Sequence, residues 1–218
     1  MDGDMRKTPG RGVRPTSAGT PRAQSGMTLI ELLIAMGIMS LVTAMIIVGW
    51  MALQNSYAYS TKSADARGTA RDTMARMRRE IRDAIVDPVT GDGPLVTAEP
   101  NHIRFYSAFN DAGGQVQAVD YWYRPTNSST GRITRRRGAG SETTLASDIV
   151  NVGSGTPLFR YTYLDASGTP VTATSVAAAD VPRILTVEIH IMADLDPGHS
   201  PTYMDLQSSV QPRNQRQY

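Results

Sequence analysis

Between Met27 and Leu53 the chain carries a single charged residue, Glu31, in an otherwise apolar stretch. That stretch is longer than the roughly 20 residues a helix needs to cross a bilayer, and it predicts a membrane-spanning helix over 27–53. The pattern then changes without a break. From Ala70 the apolar positions are Met74, Met77, Ile81 and Ile85, spaced as one face of a helix. Asp72 with Arg76, Arg76 with Glu80, and Arg79 with Asp83 fall at i,i+4 on the remaining surface, where such pairs support a helix. No proline interrupts the run until Pro88, so the helix is expected to end near Val86 or Asp87. Unbroken from Met27 to Val86, these 60 residues would extend about 90 Å at 1.5 Å each. The amphipathic half, 54–87, needs a cover for its Met77 and Ile81 stripe.

Beyond Asp87 the pattern switches to short runs with a period of two. Ile103 to Ala108, Gln115 to Arg124 and Arg132 to Arg136 read as strands, separated by the turns Asp111-Ala112-Gly113-Gly114 and Ser128-Ser129-Thr130-Gly131. Leu158 to Leu164 puts Phe159, Tyr161 and Tyr163 on one face and Arg160 and Thr162 on the other, and Asp165-Ala166-Ser167-Gly168 turns it toward Val171. In Ile184 to Met192 the alternation places Leu185, Val187, Ile189 and Ile191 inward and Thr186, Glu188 and His190 outward. Met204, Leu206, Ser208 and Val210 suggest a last strand. One apolar helix face and several one-sided strands answer each other's exposure, which predicts an α+β fold with an antiparallel sheet on the helix's C-terminal half.

Glu31 is the position that changes the picture. An ionised carboxylate in hydrocarbon costs on the order of 2.5 to 3.5 kcal/mol on insertion scales, so it needs a partner or a proton. Cutting the chain after Gly26 would create an α-amine on Met27, a cation four residues away; a neighbouring copy shifted along the axis could offer its own. Snorkelling to the interface is the plainer alternative. The string Gly26-Met27-Thr28-Leu29-Ile30-Glu31-Leu32-Leu33 resembles the prepilin cleavage and methylation site of type IV pilins and type II secretion pseudopilins. The resemblance implies cleavage after Gly26 by a membrane-embedded prepilin peptidase, N-methylation of Met27, and Glu31 as the carboxylate used in assembly. Met27 departs from the Phe more usual there. It also implies the pilin-like form of the α+β fold. Ala118 to Arg124, Gly131 to Arg135, Leu158 to Tyr161 and the ending Leu206 to Asn214 are similar in order to PilW-type minor pilins and J-type minor pseudopilins.

Charge divides the chain by compartment. Residues 1–26 hold Arg6, Lys7, Arg11, Arg14 and Arg22 against Asp2 and Asp4, whereas the remainder holds 17 of the 22 basic and 18 of the 20 acidic side chains. The positive-inside rule then keeps the leader cytoplasmic and sends the C-terminal part across the inner membrane to the periplasm, as a single-pass protein. The organisation expected is a cleaved leader (1–26), a membrane half of the helix (27–53), an amphipathic half (54–87) and a β-rich domain (88–218). Zero cysteines exclude a disulfide framework and thiolate metal sites. The resemblance names as partners the prepilin peptidase, other pilin or pseudopilin subunits, and an inner-membrane assembly platform, with the pilus or pseudopilus as destination.

Other chemistry is sparse. Arg132, Arg135, Arg136 and Arg137, near Tyr121 and Tyr123, form the densest basic cluster and are the sole support for a second reading, a membrane-tethered module that offers a basic sheet to DNA or a surface ligand. A solvated hairpin edge is the commoner meaning of such a run. Asp194-Leu195-Asp196-Pro197-Gly198-His199 has two carboxylates where calcium wants six to eight oxygens, and it reads as a turn. His102, His190 and His199 are dispersed, giving zinc no ligand set. No phosphate loop, G-x-S-x-G elbow or paired catalytic carboxylates occur, so no enzymatic activity, cofactor or metal is expected.

Overall fold

The computed structural model describes residues 26–86, 91, 93–108, 115–197 and 202–213. The leader up to Ser25, the expected breaker Pro88, the Asp111 to Gly114 turn, His199 and Asn214 lie outside these residues. The chain divides into two compact units, one ending at Met51 and the other starting at Ala52.

A single helix, α1 (Leu29–Arg82), runs through both. In the first unit every residue from Gly26 to Met51 is exposed, and the apolar stretch is long enough to cross a membrane, with none of it buried within the protein. Its hydroxyls bond to the helix itself: Ser40 Oγ donates to the Gly37 carbonyl at 2.8 Å and Thr43 Oγ1 to that of Met39 at 2.8 Å. Each of these hydroxyls thereby finds its acceptor within the helix, as a bilayer solvent would require.

In the second unit, α1 buries Ala70, Met74, Met77 and Ile81 against an antiparallel sheet. The helix stops a turn earlier than its spacing suggests. Ala84 forms an isolated antiparallel bridge with Ser107, and the Ile85 amide donates to the Tyr106 carbonyl at 2.9 Å, so backbone pairing with the sheet displaces the last helical turn and Ile85 leaves the stripe.

The strands are β1 (Leu95–Glu99), β2 (His102–Ser107), β3 (Gln117–Pro125), β4 (Gly131–Arg137), β5 (Thr143–Ile149), β6 (Phe159–Leu164), β7 (Pro170–Ala173), β8 (Ile184–Asp194) and β9 (Tyr203–Val210). They form one sheet in the order β1-β2-β3-β4-β5-β8-β6-β7, with β9 added to β8. The sheet curls so that the far side of β1 is met by the chain after β7: the Val176 amide donates to the Ala98 carbonyl at 2.9 Å, and Tyr161 Oη donates to the Glu99 carbonyl at 2.9 Å. Phe105, Tyr121, Ile133, Phe159, Tyr161, Val187 and Ile189 are fully enclosed on the inner face. The resulting architecture is α+β and pilin-like, a long apolar N-terminal helix followed by a curled antiparallel sheet.

Two alternations come out differently from the sequence pattern. In β8 it is Ile184 that is buried, at 1 %, while Leu185 is 43 % exposed. The pairing with β6 shifts there, from Thr162 opposite Thr186 to Tyr163 opposite Ile184, and the extra residue reverses the phase. Glu80, expected on the solvent side with Arg76, is 1 % exposed and belongs to the interface with the sheet. β6 keeps its expected phase, and the Asp165 turn its expected place: Asp165 Oδ1 accepts from the Ser167 and Thr169 amides, and Gly168 takes a φ of 80°. Gly131 is needed for a different reason. A Cβ there would sit 2.6 Å from the Tyr123 ring, which packs over the strand with its hydroxyl donating to the Ile149 carbonyl.

Candidate functional site

The helix N-terminus holds the three residues singled out by the sequence motif, Gly26, Met27 and Glu31. α1 begins at Leu29, and Thr28 precedes it as the capping residue. Thr28 Oγ1 accepts from the Glu31 amide at 3.3 Å, and Glu31 Oε2 accepts from the Thr28 amide and hydroxyl, each at 3.3 Å. This reciprocal arrangement is a capping box, which answers two of the amides a helix start leaves without partners and places a negative charge at the positive end of the dipole. Glu31 therefore has a partner within its own turn, and the signal was available in the sequence as T-x-x-E before an apolar run.

Its position also leaves the carboxylate accessible. Gly26, Met27 and Thr28 precede the helix and are exposed, with Met27 at 69 %, so the Gly26–Met27 bond lies outside helical structure. A Cβ at Gly26 would meet nothing within 4 Å, and its φ is not of the kind that favours glycine. Among the described residues nothing asks for glycine at 26.

The basic cluster separates into two environments, because β4 alternates. Arg135 turns inward, where its Nε donates to Glu80 Oε2 at 3.0 Å, and the Tyr121 hydroxyl donates to the same oxygen at 2.7 Å. Burial, together with the neighbouring Glu80 charge, pushes the Tyr121 phenol well above its ordinary range. For Arg135, burial opposes the charge, but the hydrogen bond and charge of Glu80 outweigh it and hold the guanidinium more firmly protonated. Arg137 is half-buried on the same side of the strand.

Arg132 and Arg136 face outward. Opposite them on β3 stand Arg124 and Asp120, and opposite Asp120 on β2 stands Arg104. Asp120 is 1 % exposed although it lies on the outer face. It accepts from Arg136 Nη2 at 3.1 Å and lies 3.0 Å from His102 Nε2. Burial would raise its pKa, but the His102 and Arg136 hydrogen bonds with the Arg104 and Arg136 charges hold it below the usual carboxylate value. Around it, His102 stacks on Trp122 at 4.9 Å, and the Arg124 and Arg136 guanidiniums lie 4.7 and 4.8 Å from the centre of the same ring. These side chains already occupy the Trp122 face, so the group can offer N–H donors to an anion but no free aromatic surface on which a base could stack. Arg104 and Arg124 belong to this outer group although sequence spacing did not single them out; only strand register brings them in.

The remaining candidates lie elsewhere. Asp194 Oδ1 accepts from the Asp196 amide at 3.0 Å, and Gly198 of the expected turn lies outside the described residues. His190 Nε2 lies 2.6 Å from Asp205 Oδ1 on the β8 and β9 pair, far along the sheet from His102. Among the described residues no three His, Cys, Asp or Glu side chains come together as a metal site.

Comparison with known proteins agrees with the N-terminal geometry. Residues 21–47 match the family model of the prokaryotic N-terminal methylation motif. No curated protein matches the sequence. The matched stretch spans Gly26, Met27, the capping box and most of the exposed apolar helix, and it supports a type IV pilin-like or pseudopilin-like protein, a structural subunit with one apolar N-terminal helix.

Proposed function

We propose that the protein is a minor pilin or pseudopilin, of the PilW-type or J-type group, made as a precursor and assembled in the initiating or tip complex of a type IV pilus or type II secretion pseudopilus. Prepilin peptidase cuts after Gly26, Met27 is N-methylated, and residues 27–53 hold the chain in the inner membrane with the sheet domain in the periplasm. The assembly platform then extracts it into the filament. Glu31 meets the Met27 amine of a neighbouring subunit during docking.

The observation that carries this reading is an exposed apolar stretch of α1 whose one charge sits in the first turn, four residues after an exposed Gly–Met bond. A glycine that no described contact requires, at the position where we place the cut, is accounted for by a protease that does require it. The free α-amine lies at the same end of the helix as the carboxylate, so axial stacking of subunits would pair opposite charges in a medium where pairing is worth most.

The test is the N-terminal mass of the protein from cells with and without prepilin peptidase, together with incorporation of Glu31→Ala. The expected outcome is a chain starting at methylated Met27 only when the peptidase is present, with the variant processed normally but at least tenfold depleted from filaments. An intact leader on functioning copies, or normal incorporation of the variant, overturns the proposal.

A further inference from the structure

The sheet protects its margins unequally. β1 is covered by the Val176 hydrogen bond and by the short 3-10 helix Val181–Arg183, and β7 is four residues long and opens on Pro170. By contrast β9 pairs with β8 over eight consecutive residues, from Tyr203 opposite Asp194 to Val210 opposite Val187, with no shift of register. Among the described residues no strand pairs with its other side. β9 has no proline, no lysine and no bulge, the devices by which exposed edges are kept from pairing. Its one charged residue, Asp205, is bound to His190.

A row of arginines lies along the same side of the domain. Arg67, Arg71, Arg78 and Arg82 are spaced four, seven and four residues apart, which gathers them within about 60° of one flank of α1. The opposite flank rests over β4 and β5, through Glu80 with Arg135 and Thr73 Oγ1 donating to the Leu145 carbonyl at 3.4 Å. The arginine flank accordingly falls on the other side, and Arg82 lines a hollow with Ser209 and Val210 of β9. Among the described residues none of the four makes an ion pair.

We infer that the outer edge of β9 is a strand-addition site for an extended acidic segment of a different subunit, whose backbone continues the sheet and whose carboxylates lie against Arg67, Arg71, Arg78 and Arg82. Main-chain pairing supplies affinity in such additions, and side chains supply selection. The arginine row selects for acid. It also selects against a second copy of this chain, because pairing β9 with β9 would bring two arginine flanks together, and like charges across an interface cost several kcal/mol. That the segment belongs to a neighbouring subunit rests on the assembly reading above; the edge and its charge preference do not.

The experiment uses the full chain in detergent, with two eight-residue probe peptides, one alternating threonine with glutamate and one alternating threonine with lysine. Hydrogen exchange across Tyr203–Val210 is followed as each is added. The glutamate peptide is expected to slow exchange in β9 at least tenfold at saturation and the lysine peptide to leave it unchanged. Arg71→Glu with Arg82→Glu, both on exposed positions, should weaken the glutamate peptide at least tenfold while the melting temperature stays put. Absence of protection, equal protection by both peptides, or protection that rises with protein concentration alone would each overturn the inference, the last by making the occupant a second copy. A negative result here leaves leader cleavage untouched, and failed cleavage leaves the edge untouched.

Discussion

α1 contains two glutamates that pose the same physical problem in two regions and receive different answers. Glu31 lies in a stretch where every apolar side chain is exposed, and its hydrogen bonds stay within its own turn. Glu80 lies where the helix meets the sheet, and the Tyr121 hydroxyl and Arg135 guanidinium enclose it at 2.7 and 3.0 Å. The second charge is compensated by folding. For the first, the described residues supply only the Thr28 hydrogen bonds and no cation. The same division holds for packing: Met77 and Ile81 are covered within the chain, whereas Leu32, Ile38 and Leu41 are exposed.

The largest stability effect should therefore come from Glu80. Glu80→Ala strips Arg135 of its counter-ion in a buried setting, a change worth roughly 3 to 5 kcal/mol. At about 2 to 4 °C per kcal/mol for a domain of this size, the melting transition should fall by roughly 10 °C. Glu31→Ala should leave that transition where it is. Replacing both partners sharpens the contrast, since Glu80→Met with Arg135→Met removes the charges together and should recover most of the loss. A Glu80→Ala protein that melts with the wild type would mean that the interface ion pair contributes nothing and that the two glutamates differ less than their surroundings imply.

The comparison also separates what could be read from the chain from what could not. Apolar spacing located the helix, most strands and the enclosed face of β6, because burial and periodicity report the same preference. The last turn of α1 escaped because Ile85 keeps helical spacing while its backbone pairs with Tyr106, a tertiary bond no local pattern announces. Leu185 escaped because a bulge shifts phase without changing composition. β5 has a polar sequence, two shifts of register and a left-handed Asp148 at φ 57°, so alternation is missing from it. Among candidate residues, Gly26, Met27 and Glu31 stood out because their meaning lies in a short contiguous motif. The fates of Arg135 and Arg136 depended on which side of β4 each faces, and on an aspartate and a glutamate distant in sequence.

Asp120 tests whether the outer arginine group is held as firmly as the inner one. Its folded-state pKa is depressed, so its contribution is present in full above the unfolded value of about 3.9 and disappears as pH falls through the folded value. Asp120→Asn should cost roughly 1 to 3 kcal/mol at pH 7, because Arg136 and His102 lose their charged acceptor. The gap between wild type and variant should stay level above about pH 5 and close as the pH is taken below about 4. A gap that instead opens in acid would reverse the sign and place the stabilising charge elsewhere. Either way the effect should be smaller than that of Glu80→Ala, since Arg136 is 39 % exposed and Arg135 only 16 %.

The smallest change bears on the first glutamate. Thr28→Val keeps the shape of the capping residue but deletes the hydroxyl that accepts from the Glu31 amide, at a cost of about 1 kcal/mol confined to the first turn. Hydrogen exchange at Leu29 to Leu33 should quicken while the melting of the sheet domain stays fixed. Processing should continue, because the Gly26–Met27 bond lies outside the helix. The informative quantity is incorporation. If Glu31 acts by charge, its carboxylate survives in Thr28→Val and incorporation should fall far less than in Glu31→Ala. If the two variants fail alike, the glutamate's task is to start the helix, and an amine on a neighbouring subunit has no part in it.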